Sequence, residues 1–239
     1  MMNDRMLEVH NASVAYGEVY ALRDFSCAVT KGSITALMGS NGAGKTTFLR
    51  GLSGLLPVNQ GQIFFKGTDI TRHASDKRVE NGLVMVPEGR LIFADFTTEQ
   101  NLKIGAITKR ARGSMADGLE RSYELFPKLR ERRHQRGGTL SGGEQQMLAI
   151  ARGLMSNPDV LMLDEPTLGL APQIAGSIFE MIQHLRNQGL TILIVEQDVK
   201  RTLQIADHAY VLENGSHVLN GPAGDVLNNP KVKQSYLGL

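Results

Sequence analysis

The stretch GSNGAGKTT, residues 39–47, decides the fold of this 239-residue chain. It fits the pattern G-x-x-x-x-G-K-[ST], in which glycines let successive backbone N–H groups converge on an anion. In this pattern the ammonium of Lys45 reaches the outer phosphates of a nucleotide, and the hydroxyl of Thr46 ligates Mg²⁺. Because such a loop lies at the surface, Lys45 is not expected to support the core. The candidate phosphate-binding residues are Gly39, Ser40, Asn41, Gly42, Ala43, Gly44, Lys45, Thr46 and Thr47.

A second glycine-rich stretch, LSGGEQQ, occupies residues 140–146. Its S-x-x-E spacing predicts a capping box that opens a helix. A helix N-terminus with two glycines and a free hydroxyl also favours a phosphate, and this chain already has one phosphate site. The stretch therefore predicts a second anion site at Ser141, Gly142, Gly143 and Glu144. The buried stripe of the helix that follows is predicted at Met147, Ile150, Ala151 and Leu154.

Two acidic residues, Asp164 and Glu165, follow the apolar run at residues 160–163. In a doubly wound sheet the end of such a strand lies beside the phosphate-binding loop. We expect Asp164 to hold Mg²⁺, usually through its water shell. We expect Glu165 to orient and deprotonate an attacking water, a role worth roughly 10²–10⁴-fold in rate.

The pattern along the chain predicts an α/β fold with a mostly parallel central sheet, antiparallel N-terminal strands and a helical subdomain. We interpret residues 1–239 as a single domain, with the helical subdomain at about 93–158. A hairpin turn is expected at Asn214 and Gly215. Strands are predicted at residues 6–16, 21–29, 33–38, 61–66, 82–86, 160–163, 191–195 and 209–212.

The composition, 41% hydrophobic and 21% charged, is typical of a soluble globular protein. The apolar runs are far shorter than the ~18 residues of a spanning helix, and the N-terminus has no apolar signal segment. The single cysteine, Cys27, excludes an intrachain disulfide, suits a reducing compartment and is expected in the core. These features predict a cytoplasmic protein that reaches a membrane only through other subunits.

The charge pattern bears on the partners of the chain. The formal net charge is only +2, and the arginine-rich segments at 109–112 and 128–136 are not interleaved with aromatic residues. We interpret these segments as solvated helix surface or as a face near acidic partner or lipid groups. Nucleic acid is not expected as a partner.

The phosphate-binding loop, LSGGE and the Asp-Glu pair, in this order, resemble the ATP-binding subunit of ABC transporters over essentially the whole chain. The resemblance implies that ATP and Mg²⁺ bind, and that Tyr16 stacks on adenine. It implies a head-to-tail dimer in which the LSGGE of one subunit covers the ATP held by the other. It also implies two membrane permease subunits as partners, which would hold the chain on the inner face of the cell membrane.

Three positions depart from the usual pattern of this family. Glu88 stands where Gln is usual, and its carboxylate is expected to act through Mg²⁺ or its water because it would repel the γ-phosphate directly. Gln197 stands where a switch His is usual, and an amide cannot carry the proton of an imidazole. Ala171 stands where Asp is usual, which removes a polar contact across the dimer interface. The catalytic candidates are therefore Glu165 and Gln197.

These departures, together with VPEGR, DEPTLGLAP, VEQD and SYLG, resemble one branch of the family. That branch serves high-affinity branched-chain amino acid importers, and the chain resembles the partner with Gln in the switch position. The resemblance implies a heterodimer with a second ATPase, two permeases and an external binding protein. Importers of urea, amides or aromatic acids use similar ATPases and stay open as alternatives.

Other classes of P-loop protein lack support in the sequence. A GTPase would need a guanine-reading N-K-x-D segment, and the chain has none. A DNA-maintenance ATPase would need a long coiled-coil insertion, and a translation-associated relative usually carries two cassettes. A small-molecule kinase would leave LSGGE unexplained.

Overall fold

The computed structural model describes residues 4–237. Residues 1–3 and 238–239 of the predicted domain, and with them Gly238 of the SYLG motif, lie outside the described residues. The strands are β1 (Arg5–Tyr16), β2 (Val19–Thr30), β3 (Ile34–Gly39), β4 (Gln60–Phe65), β5 (Thr68–Asp69), β6 (Leu83–Val86), β7 (Val160–Asp164), β8 (Thr191–Val195), β9 (His208–Glu213) and β10 (Ser216–Pro222). The helices are α1 (Lys45–Leu52), α2 (Ser75–Glu80), α3 (Thr98–Gly105), α4 (Lys109–Arg112), α5 (Met115–Leu125), α6 (Pro127–Glu131), α7 (Gly142–Leu154), α8 (Pro172–Asn187), α9 (Val199–Ile205), α10 (Ala223–Asn228) and α11 (Pro230–Val232).

The strands form two sheets of different type. The first, in the order β2-β1-β4-β5, is antiparallel. The second has the order β10-β9-β3-β8-β7-β6, with β9, β3, β8, β7 and β6 parallel and β10 antiparallel at one edge. This arrangement confirms the predicted α/β fold with a mostly parallel central sheet and N-terminal antiparallel strands.

The six-stranded sheet is the middle layer, and its strands β3, β7 and β8 are buried on both faces. Along β7, Leu161 and Leu163 belong to the core cluster with the helices, whereas Val160 and Met162 belong to the cluster with the antiparallel sheet and α1. Strand β8 alternates in the same way. A parallel sheet covered on both faces reads as a continuous apolar run, which explains the apolar segments before the Asp-Glu pair.

Helices α3 to α7 lie between β6 and β7, within the predicted helical segment. The predicted stripe of α7 is partly wrong. Ile150 and Ala151 are buried as expected, but Met147 and Leu154 are only half-buried, and Leu148 is buried instead. The reason is that α7 packs against α3, α5, α6 and β6, so its buried surface extends around more than one stripe.

Helix α8 connects β7 to β8 and packs on the sheet through Ile178, Ile182 and Leu185. The predicted end of this helix is confirmed, since Gly189 follows it with φ 92°. Cys27 is buried in β2, as predicted. Within residues 4–237, no helix combines the length and the apolar character needed to cross a membrane.

Candidate functional site

The phosphate-binding loop connects β3 to α1. Gly44 precedes the helix with φ 104°, and a Cβ there would lie 2.5 Å from the carbonyl oxygen of Ala21, so only glycine fits. The ammonium of Lys45 donates hydrogen bonds to the carbonyl oxygens of Gly39 at 2.9 Å and Ser40 at 3.1 Å. The side chain of Lys45 is only 4% exposed. The expectation that Lys45 is a surface group is therefore wrong, because the loop curls around it.

The rest of the loop is anchored on one side and open on the other. The N–H of Ala43 donates to the carbonyl oxygen of Ser40 at 3.1 Å, and its own carbonyl accepts from Gly215 at 3.0 Å. Ser40, Asn41 and Gly42 are exposed. Ala43, Gly44 and Thr47 are buried, and Thr46 is half-buried. The nine predicted residues thus run from the last residue of β3 through one loop into the first turn of α1, with an accessible side for an anion.

The candidate metal ligands meet at the end of β7. The hydroxyl of Thr46 donates to Oδ1 of Asp164 at 3.2 Å. Burial raises the pKa of Asp164 to about 6; the Thr46 hydrogen bond opposes that rise, and the negative charges of Glu165 and Glu88 add to it. Glu88 itself lies exposed in the loop after β6.

These residues fit a magnesium ion. Among the described residues, Oδ2 of Asp164 is buried without a hydrogen-bond partner, which suits an oxygen that faces a cation. No group of three His, Cys, Asp or Glu side chains in the described chain could hold a metal ion by itself. Mg²⁺ usually binds through one or two carboxylates together with substrate phosphates and waters, so this donor set matches its chemistry.

The Glu165 carboxylate is held from two sides. Nε2 of Gln197 donates to its Oε2 at 2.6 Å, and Nζ of Lys45 lies 3.6 Å from its Oε1. Its N–H donates to the carbonyl oxygen of Val195 at 2.9 Å. Glu165 has φ 47°, a left-handed conformation that a non-glycine residue adopts at a cost. The structure thus brings the two predicted catalytic residues into direct contact.

Sequence reasoning missed Glu196, which follows β8 and is 2% exposed. Its Oε1 accepts from the N–H of Thr167 at 2.8 Å and from its hydroxyl at 2.7 Å. Its Oε2 accepts from the N–H of Gln197 at 3.0 Å. Burial raises the pKa of Glu196, and these hydrogen bonds with one from the backbone of Asp198 oppose the rise. The available signal was an acid directly after an apolar strand, the same signal that identified Asp164.

Tyr16 lies at the end of β1, beside the phosphate-binding loop. Its hydroxyl accepts from Oγ1 of Thr47 at 3.5 Å and from the guanidinium of Arg50 at 3.4 Å. The side chain is 46% exposed. The ring is thus tethered at its polar tip to α1 and remains open to a planar group.

The second glycine-rich stretch forms the predicted capping box. The hydroxyl of Ser141 accepts from the N–H of Glu144 at 3.4 Å, and Oε2 of Glu144 accepts from the N–H of Ser141 at 2.9 Å. Although burial acts in the opposite direction, these bonds and the charge of Arg132, whose Nε lies 2.8 Å from Oε1, lower the pKa of Glu144. A Cβ on Gly143 would lie 2.8 Å from Cγ2 of Ile174. Gly142 lies beside the guanidinium of Arg90.

The two predicted anion sites lie apart within the chain. Among the described residues, none of the hydrogen bonds or ion pairs links residues 141–144 to the phosphate-binding loop. Ser141 is exposed. Its site is therefore accessible to a group brought by another molecule.

A recess of about 610 Å³ lies between the central sheet and the helical segment. Four large apolar side chains of the described chain line the recess and are exposed: Leu55, Leu91, Phe93 and Ile107. Arg152 holds the loop that carries Leu91, because its guanidinium donates to the Leu91 carbonyl oxygen at 2.8 Å and lies 5.3 Å from the centre of the Phe93 ring.

The sequence profile of the ABC transporter family matches residues 22–168. The chain belongs to this family and is one of its ATP-binding subunits, which couple ATP hydrolysis to transport. The chain is 46% identical over 233 residues to the high-affinity branched-chain amino acid transport ATP-binding protein BraG of Pseudomonas aeruginosa, covering 98% of this chain and 100% of BraG. It is 41% identical over 235 residues to the probable branched-chain amino acid transport ATP-binding protein LivF of Archaeoglobus fulgidus, covering 98% and 99%. The crystal structure of the ADP conformation of an ATP-binding cassette of an ABC transporter is similar with a TM-score of 0.84 and 30% identity, covering 98% of this chain and 99% of that one.

Proposed function

We propose that this chain is the ATP-hydrolysing subunit of an ABC importer that takes up branched-chain amino acids. The observation that supports branched-chain amino acids as the substrate is the match to BraG at 46% identity over nearly the whole of both chains. LivF, at 41% identity, bears a name from the same transport system. An importer of urea, an amide or an aromatic acid is the alternative, and neither relative favours it.

We infer that ATP binds with its phosphates in the loop at residues 39–47 and its adenine on Tyr16. The phosphates would take the ammonium of Lys45 from the carbonyl oxygens that it contacts at 2.9 and 3.1 Å. Thr46 and Asp164 would hold Mg²⁺, with Glu88 acting through its water shell. When bound, Mg²⁺ supplies positive charge that neutralises the phosphate oxygens.

Glu165 is the proposed general base of hydrolysis. Its carboxylate would accept a proton from the attacking water while that water adds to the γ-phosphate. The amide of Gln197, 2.6 Å from Oε2, would keep the carboxylate oriented. Movement of Lys45 toward the phosphates would release Oε1, which lies 3.6 Å from Nζ in this structure.

We further propose that residues 1–239 form a single ATP-binding domain, with 93–158 as its helical subdomain, and that two such subunits assemble head to tail. The exposed site at residues 141–144 would cover the ATP of the partner. Because Gln197 and Ala171 replace the usual His and Asp while the capping box is intact, the proposed partner is a second, His-bearing ATPase. At this chain's own site, turnover should show no titration attributable to Gln197, whereas the partner's site should titrate near the ~6.5 of an ordinary imidazole.

The proposed dimer docks beneath two permease subunits, which hold it on the cytoplasmic face of the membrane, and an external binding protein delivers the cargo. The recess with Leu55, Leu91 and Phe93 supports this docking, because exposed apolar groups rimmed by polar ones mark interaction sites.

The experiment is uptake by the assembled transporter in vesicles that contain ATP, with labelled leucine, urea and benzoate offered in parallel. We expect leucine uptake that stops in a Glu165→Gln assembly. Uptake of urea or benzoate without leucine would select the alternative. The ATPase chains of the same preparation are counted by mass, and two copies of this chain without a second ATPase would contradict the heterodimer.

A further inference from the structure

Glu196 closes a ring of contacts around the hydrolytic site. From Glu165 the chain runs two residues to Thr167, whose N–H and hydroxyl donate to Oε1 of Glu196 at 2.8 and 2.7 Å. The next residue, Gln197, returns to Glu165 through its 2.6 Å hydrogen bond. The turn after β7 and the loop after β8 are thus joined at two points. One is the contact of Thr167 with Glu196, and the other is the contact of Glu165 with Gln197.

The contacts of Glu196 require a carboxylate. The groups that reach it are all donors: the N–H and hydroxyl of Thr167, and the N–H groups of Gln197 and Asp198. An ionised carboxylate offers acceptors on both oxygens, whereas an amide turns one NH₂ group toward a donor. At 2% exposure, water cannot replace a lost partner, so a mismatch costs the desolvation of the unpaired group.

The ring continues to the surface of the molecule. The N–H of Leu168 donates to the carbonyl oxygen of Glu165 at 3.2 Å, and the N–H of Leu170 donates to that of Thr167 at 3.2 Å. Leu168 is exposed, and Ala171 directly follows this turn. A displacement of this turn therefore shifts Thr167, then Glu196, and through its backbone Gln197.

We propose that Glu196 is a positioning residue that fixes the amide of Gln197 against Glu165 and ties both to the turn at residues 167–170. This inference rests on the proposed ATPase role of Glu165. Glu196 contacts neither nucleotide nor water in the mechanism; it acts only through Gln197 and Thr167.

The test compares steady-state ATP hydrolysis by the assembled transporter that carries the wild-type chain with hydrolysis by the same assembly that carries Glu196→Gln, and ATP affinity is measured separately by calorimetry. We expect kcat to fall at least about tenfold, because a small displacement of a catalytic group has a large effect on rate. KM and ATP affinity should stay within about twofold, because the phosphate-binding loop is not part of the ring.

Two further variants separate positioning from a general loss of structure. In a Gln197→Ala background, Glu196→Gln should lower kcat by much less than tenfold, because one of the two groups through which it acts, Gln197, is gone and only the contact with Thr167 remains. Thr167→Val should reproduce the loss in part, and Thr167→Ser should restore the wild-type rate. An unchanged kcat in folded Glu196→Gln, or a full additional loss in the Gln197→Ala background, overturns the inference. Absence of hydrolysis by the wild-type chain and its assembled transporter would instead contradict the proposed function.

Discussion

Nε2 of Gln197 lies 2.6 Å from Oε2 of Glu165 and donates a hydrogen bond to it. Gln197→Glu would place two carboxylates at this separation, and like charges so close cannot both ionise without a large cost. We expect turnover to fall by at least about tenfold near neutral pH, because a proton shared by the two carboxylates blocks the base, and to recover in part as the pH rises and that proton is lost. The check is the kcat profile from pH 6 to 9. Gln197→Ala is the matched control, since it removes the donor without adding charge, and a flat ratio between the two variants would contradict this account.

Glu165→Gln is expected to keep ATP binding and to lower turnover by at least ~10²-fold. The amide occupies the same space and can still accept from Gln197, but it cannot take the proton of water. Because hydrolysis normally reopens the dimer, the variant should also trap subunits bridged by ATP, which size exclusion with and without ATP would detect. Turnover within a factor of two of wild type would remove Glu165 from its proposed role.

Lys45→Ala should weaken ATP affinity and lower kcat/KM together, because the ammonium offsets phosphate charge in both the ground and transition states. Because Lys45 is buried, we also expect lower stability. The substitution leaves two carbonyl acceptors, of Gly39 and Ser40, without their partner. Calorimetry gives the affinity, and thermal unfolding without nucleotide gives the stability. Lys45→Met is the matched control, since it keeps the apolar stem. Unchanged ATP affinity in both variants would contradict the assignment of the loop.

Asp164 should make the stability of the nucleotide-free protein depend on pH. Its pKa of about 6 exceeds the ordinary value, so the native state binds this proton more tightly than the unfolded chain does. The contribution of Asp164 to stability is therefore fully present below about pH 4, and it is lost as the pH rises through about 6. Asp164→Asn removes this loss. In EDTA we expect the free energy of unfolding of the Asp164→Asn variant to exceed that of wild type by about 2–3 kcal/mol above pH 7. Below pH 4 the two free energies should be equal.

Urea unfolding of both proteins at intervals from pH 3 to 8 measures this difference. A constant difference over the whole range would show that Asp164 acts through packing and not through its charge. In Mg²⁺ and ATP the order should reverse, because the asparagine cannot supply a charged ligand.

The sequence predicted the strands and the phosphate-binding loop well because both follow from local patterns. Apolar runs mark strands buried on both faces, and the glycines mark a backbone that side chains would obstruct. It could not predict that Lys45 is buried, because that depends on how the loop closes around it. It also could not predict the contact between Thr167 and Glu196, which are 29 residues apart and meet only because β7 and β8 are neighbours. The burial of α7 was misjudged for the same reason, since several elements cover it.

Ala171 is the N-cap residue of α8, with φ −60°, ψ 145° and no side-chain capping bond. Ala171→Asp would place a carboxylate where it can accept from the N–H groups of the first turn of α8 and interact favourably with the positive end of the helix dipole. We expect the free energy of unfolding to rise by about 1 kcal/mol.

Ala171→Asn is the matched control, because asparagine caps the helix without a charge. The difference between the two variants, measured in low and high salt, therefore isolates the dipole contribution. A stability equal to that of wild type in both variants would show that this helix start cannot accept a cap. A gain in both would show that the helix tolerates the aspartate usual in the family, so that alanine here is not required for folding.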